Sequence, residues 1–227
     1  HGKFRRQRQM CIRDRTGSTI TLTDNITTAG DSDNTGADGV DGAVIITGAA
    51  LIEPASGVTI DTSSSDGSVS FSSTVNSDAN KTLTISSGAG AVDFAGVIGG
   101  VAGDHLTGLS INAQGSSTGT GSIDILQIGD TTGPEHGVVG TVTIGNTATT
   151  EVELDGREYV VDGAITVTAT TGSTIKFTAA GETEVLTDQD SISFNNGTIE
   201  LAASTPLKVH SDGGAISIFG ILSAGTN

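Results

Sequence analysis

The chain has 227 residues, of which 35% are apolar and 33 are glycine, with six phenylalanines, one tyrosine and no tryptophan. Such a composition points to a core of small and β-branched side chains with closely packed backbone, not to the aromatic-lined pocket common in enzymes. The net charge is −16, and six of the ten basic residues fall in the first 15 positions with only Asp14 against them, so the acidic remainder excludes nucleic acid and anionic membrane surfaces as partners.

Residues 1–15 (HGKFRRQRQMCIRDR) stand apart from the rest of the chain. They are basic and Gln-rich, and they lack strand alternation. The run Met10-Cys11-Ile12-Arg13-Asp14-Arg15 resembles translated sequencing-adapter DNA, so the segment reads as non-native; a basic targeting arm is the alternative. An export signal needs an apolar stretch of roughly 7–15 residues, which this segment lacks. The one cysteine, Cys11, lies inside it. Cysteine-free sequence from 16 onward suits an exported chain that meets oxidising surroundings without disulfides. No run approaches the ~18 apolar residues of a membrane-spanning helix, so no membrane insertion is expected.

From residue 16 the sequence is expected to form a single unit to 227. Gly17-Ser18-Thr19-Ile20-Thr21-Leu22 opens it with strand alternation, and Gly172-Ser173-Thr174-Ile175-Lys176-Phe177 is a near copy. Residues 30–42 (GDSDNTGADGVDG) form an acidic glycine-rich loop carrying Asp31, Asp33, Asp38 and Asp41. Strands are expected around 44–47, 58–61, 69–72, 83–86, 92–95, 109–112, 123–127 and 142–145. Loops are expected around 115–120 and 129–137. Asp155-Gly156, between alternating runs, marks either a hairpin or a tight corner. Further strands follow through Ile165, Ile175, Ile192, Ile199, Leu207 and Ile216.

One figure recurs: a glycine, a small residue, then apolar–polar–apolar. It begins at Gly42, Gly67, Gly90, Gly121, Gly140, Gly163, Gly197 and Gly214. The interval is loose, widest from Gly163 to Gly197 and narrowest from Gly197 to Gly214. A strand roughly every 20 residues is the signature of stacked coils. The expected fold is therefore all-β: a right-handed parallel β-helix, or β-solenoid, of about 20-residue coils. Tandem antiparallel β-sandwiches are the alternative, but they call for more hairpin signals than Asp155-Gly156 alone. Glycine ahead of each strand is read as supplying positive φ at a turn. The chain ends without a polar cap and reads as a fragment of a longer protein.

Gly57-Val58-Thr59-Ile60-Asp61-Thr62, Gly67-Ser68-Val69-Ser70-Phe71-Ser72, Lys81-Thr82-Leu83-Thr84-Ile85-Ser86 and Gly90-Ala91-Val92-Asp93-Phe94 are similar to repeats of large exported bacterial adhesins. The families resembled are the filamentous haemagglutinins and the autotransporter passengers. The resemblance implies a β-helical stalk on the cell surface, without catalysis, contacting glycans, host or neighbouring cells, or other copies of itself.

Candidate chemistry is sparse. Asp31-x-Asp33-x-Thr35-Gly36 resembles the start of a calcium loop, so Asp31, Asp33, Asp38 and Asp41 are the candidate metal ligands. Position twelve is Gly42 where a bidentate glutamate is expected, which favours a solvated turn. His105, His136 and His210 lack ligand spacing and read as loop residues. No nucleophile elbow or phosphate loop is present. Asp93, Asp124 and Glu200 each occupy the polar centre of the repeated figure, so coil stacking could bring outward carboxylates together. That is the basis of the enzyme alternative, a β-helical polysaccharide lyase or hydrolase. A calcium-stabilised surface-layer module is the third reading.

Overall fold

A computed structural model of the chain describes residues 19–28, 42–78, 81–100, 104–112, 121–130, 137–202, 206–220 and 222–224. The basic N-terminal segment and the acidic loop with Asp31, Asp33, Asp38 and Asp41 lie outside the described residues. The described residues hold strands and no helix, and every strand pair is parallel. The fold is a right-handed parallel β-helix with three faces.

The first face stacks Val44–Ile46, Val69–Phe71, Val92–Ile98, Ser122–Ile128, Glu151–Leu154, Thr174–Phe177, Thr198–Leu201 and Leu222–Ala224. The second begins with Ile20–Leu22, Ala50–Ile52 and Val75–Ser77 and ends with Glu158–Val161, Thr183–Thr187 and Leu207–Ser211. Between those groups, Val92–Ile98 and Ser122–Ile128 bend around the corner and serve both faces, joining them into one 14-stranded sheet. The third face is a separate eight-stranded sheet: Ile26–Thr27, Val58–Asp61, Lys81–Ser86, Leu106–Ile111, Val142–Ile144, Ile165–Thr168, Ile192–Asn195 and Ile216–Phe219.

Each strand is short, so burial depends on the coils above and below. On the first face Val44, Val69, Val92, Ile123, Val152, Ile175, Ile199 and Leu222 are in register, each one full circuit of the chain after the last. The coil is thus longer than the expected 20 or so residues, running from 23 residues (Val69 to Val92) to 31 (Val92 to Ile123), because it carries up to three strands and their corners. The figure itself belongs to two interleaved columns. Gly42, Gly67, Gly90, Gly121 and Gly197 precede first-face strands, while Gly140, Gly163 and Gly214 precede third-face strands. The similar strands Ile20–Leu22 and Thr174–Phe177 also sit on different faces, since the former pairs with Ala50–Ile52 and the latter with Glu151–Leu154.

Inside, like sits over like. Phe71 and Phe94 stack with ring centroids 4.8 Å apart and planes 6° from parallel, which is the spacing of the strands that carry them. On the third face Ile60, Ile85, Ile111, Ile144, Val167 and Phe194 form one buried column. Buried polar groups close the corners. The Ser87 hydroxyl donates to the Gly90 carbonyl at 2.6 Å, and the Ser87 amide donates to Asn112 Oδ1 at 2.8 Å. Asn146 then donates to the Asn112 carbonyl at 2.5 Å. Asp155-Gly156 is a corner, not a hairpin, because the strands on either side run in parallel ladders. It is pinned by Tyr159, whose buried hydroxyl accepts from the Gly156 amide and donates to the Ile125 carbonyl, both at 2.9 Å.

The glycine columns answer to close approach more than to φ. Only Gly42 of the eight repeat glycines has positive φ, at 82°. A Cβ on Gly67, Gly90 or Gly121 would stand 2.5, 2.3 or 2.1 Å from the carbonyl oxygen of the glycine one coil below. No side chain fits in that space. Gly90→Ala is therefore expected to lower unfolding free energy by about 2–3 kcal/mol, measured by urea denaturation; an unchanged midpoint would show that the backbone column yields freely.

Candidate functional site

The outward residue between the two inward apolar positions of each first-face strand falls in one straight column. From the N-terminal side it reads Ile45, Ser70, Asp93, Asp124, Glu153, Lys176 and Glu200. Three carboxylates thus lie on successive strands, about 4.8 Å apart at the backbone, and a lysine separates them from a fourth. Glu151 sits beside Glu153 on the same strand, two residues toward its start, and Asp155 follows that strand at the corner.

Stacking of like charge shows in the proton affinities. Burial, and after it the Asp155, Glu153, Asp93 and Glu151 charges, push the Asp124 carboxyl up to about 6. Asp93 is raised by burial and then by Asp155. Lys176 relieves part of this repulsion. Its ammonium meets Glu151 Oε2 at 2.5 Å, and that contact leads the causes raising its pKa, with the Glu153 and Glu200 charges adding to it. Glu151 also accepts from the Thr174 hydroxyl at 3.3 Å, and Asp155 from the Thr178 hydroxyl at 3.0 Å. The phenol of Tyr159 lies beneath this patch; burial drives its pKa well up, with the Asp155, Asp124 and Glu153 charges adding. Its hydroxyl is spent on backbone, accepting from the Gly156 amide and donating to the Ile125 carbonyl and, more distantly, the Leu126 carbonyl, so it is a structural group.

Of the outward acids singled out by the repeat, Asp93 and Asp124 are direct neighbours, and Glu200 lies three strands beyond Asp124 in the same column. Glu153 and Lys176 between them were not singled out. Thr150 stands where the glycine of the repeated figure would precede Glu151-Val152-Glu153-Leu154; alignment on the inward Val152 and Leu154 would have found Glu153. The histidines do not converge on this patch. His105 lies at a corner where its carbonyl accepts from the Ser77 hydroxyl, His210 lies on a second-face strand opposite Leu186, and His136 is outside the described residues. Among the described residues, no group of three or more His, Cys, Asp or Glu side chains is arranged to hold a metal ion. The carboxylates run in a line and do not converge on a point. No helix among the described residues is long and apolar enough to cross a membrane.

No protein-family model, curated protein or solved structure matches the chain.

A carboxyl whose folded pKa lies above its unfolded value binds its proton more tightly in the native state, so it favours folding at low pH and this advantage disappears as pH rises. For Asp124 the window runs from 3.8 to about 6. Stability is expected to fall across that interval, and Asp124→Asn is expected to flatten the fall and raise the melting temperature at pH 7. Thermal melts at several pH values check this; a variant with the wild-type pH slope would mean that the column is relaxed by solvent.

Proposed function

We propose that residues 16–227 are a stalk segment of an exported bacterial adhesin, acting outside the cell and without catalysis. The observation that carries this reading is the coil-to-coil pairing, which runs in register from Val44 to Leu222 on the first face. Strands encircle the axis and backbone hydrogen bonds run along it, so the unit is stiff in the direction in which it lengthens. The similarity of its strand-forming phrases to adhesin repeats gives the stiffness a use, which is to hold a contact surface away from the cell. The outer faces, rich in Ser, Thr and acids, suit weak and repeated contacts with glycans or neighbouring copies.

Rigidity is measurable. Spin labels at Thr59 and Ser217, in a Cys11→Ser background, lie on one outward column six strand spacings apart. Pulsed electron resonance is expected to give one narrow distance distribution near ~29 Å plus the label arms. A broad distribution would remove the stalk.

A second reading, a carbohydrate-active β-helix, is favoured by one observation: Asp93, Asp124 and Glu153 lie on adjacent strands, and Asp124 titrates at about 6, in the range of a general acid. Against it, sugar-binding grooves offer aromatic platforms, and no aromatic residue lies in this outward column or beside it among the described residues. Release of reducing ends or unsaturated uronic acids from acidic and neutral polysaccharides, lost in Asp124→Asn, would establish this second reading in place of the stalk.

A further inference from the structure

The third face differs from the first in what it shows to solvent. Its central outward column is Thr59, Thr84, Ser110, Thr143, Thr166, Ser193 and Ser217: seven hydroxyls on seven successive strands, in direct register. All seven are partly exposed, and among the described residues none of their hydroxyls makes a hydrogen bond to the protein. The pairing slips once, between Leu106 and Gly108 at the start of a strand, and is regular again before Ser110. Thr82, Thr141 and Ser191 lie two residues before their column members, and Ser86 and Thr168 lie two residues after theirs. Among the described residues, the only charged side chain in the central column and the two beside it is Asp61 at the edge, whose carboxylate is taken by the Ser63 hydroxyl at 2.6 Å and its amide at 3.0 Å.

We propose that this face binds the surface of crystalline ice. The argument is one of lattice and charge. The hydroxyl groups of the central column recur about 4.8 Å apart from strand to strand, and at the five flanking Ser and Thr positions a second hydroxyl-bearing residue stands about 6.7 Å away along the strand. These two repeats are close to those of the oxygen atoms on the prism faces of ice. A backbone ladder fixes them without side-chain adjustment, so little order remains to be imposed on binding. Charged groups hold water in dense shells oriented around the ion, which ice cannot accommodate. A chain of net charge −16 that keeps these three columns free of charge but for one corner residue, while gathering carboxylates on the first face, has the required separation. The unspent hydroxyls supply donors and acceptors to the outermost ice layer, and the threonine methyl groups fill the spaces between. The inference stands independently of the stalk reading.

The experiment is nanolitre osmometry on the whole chain, with ice crystals as the probe. The expected result is a gap between melting and freezing points together with faceted crystal growth. Thr143→Lys and Thr166→Tyr are each expected to lose the gap while keeping the wild-type circular-dichroism melt, and Ser70→Tyr on the first face is expected to keep it. Either third-face variant suffices if the other fails to fold. Round crystals with no gap overturn the proposal, as does a gap that survives in a folded third-face variant or one lost equally in Ser70→Tyr. Sedimentation velocity adds a separate outcome: a dimer that Thr143→Lys converts to monomer would assign this face to a second copy of the chain and overturn ice binding.

Discussion

The constraint on which the rest depends is the parallel backbone ladder between coils. Once the strands pair in register, every residue stands directly over its counterpart one coil away, at a separation set by the hydrogen bonds. Phe71 over Phe94 takes advantage of this, because two rings at that spacing stack face to face. Gly67 under Gly90 is required by it, because the backbones at that corner come closer than any Cβ allows. Asp93 over Asp124 suffers from it: Asp124 is held half-buried among like charges, and burial first, then the Asp155, Glu153 and Asp93 carboxylates, keep its proton on to about pH 6. Lys176 in the same column is a partial remedy, reached through Glu151 on the preceding strand.

Much of the fold was legible because alternation survives in nearly every strand of the first and third faces. Val58, Ile60, Val69, Phe71, Ile192 and Phe194 all point inward as their spacing requires. The second face was harder to read. Ala50-Leu51-Ile52 is apolar throughout, and Val75-Asn76-Ser77 buries a serine whose hydroxyl donates to the carbonyl of His105, so neither shows apolar–polar alternation. The glycine figure located strands correctly but merged two columns, because glycine answers close backbone approach at more than one corner of the triangle. Coil length was blurred for the same reason.

The candidate site was half legible. Asp93, Asp124 and Glu200 share the centre of the figure, and that shared position is what brings them into one column. Glu153 lacks the preceding glycine, and Lys176 has the opposite charge, so neither belongs to a motif that residue type alone would collect. Membership in the column depends on how far the chain runs before it returns to the same face. The circuits from Val92 to Ile123 and from Ile123 to Val152 are longer than those on either side of them. Side-chain chemistry carries no record of circuit length; only the inward apolar pairs do. Electrostatic segregation between faces has the same origin, because each face collects residues that are far apart in the chain.

The direction of the hydrogen bonds also decides how the rod bears load. Because the strands wrap around the axis, tension applied along it pulls each backbone bond end-on, and the bonds of the outermost coil carry the load before the next coil is engaged. Such a structure peels instead of shearing. A freed coil such as the one between Val69 and Val92 releases roughly 80 Å of extended chain, while the coils behind it keep their own pairing. Under sustained pulling the segment would lengthen in steps at nearly constant force and dissipate work with each step, so a body that is stiff at rest becomes extensible before it breaks.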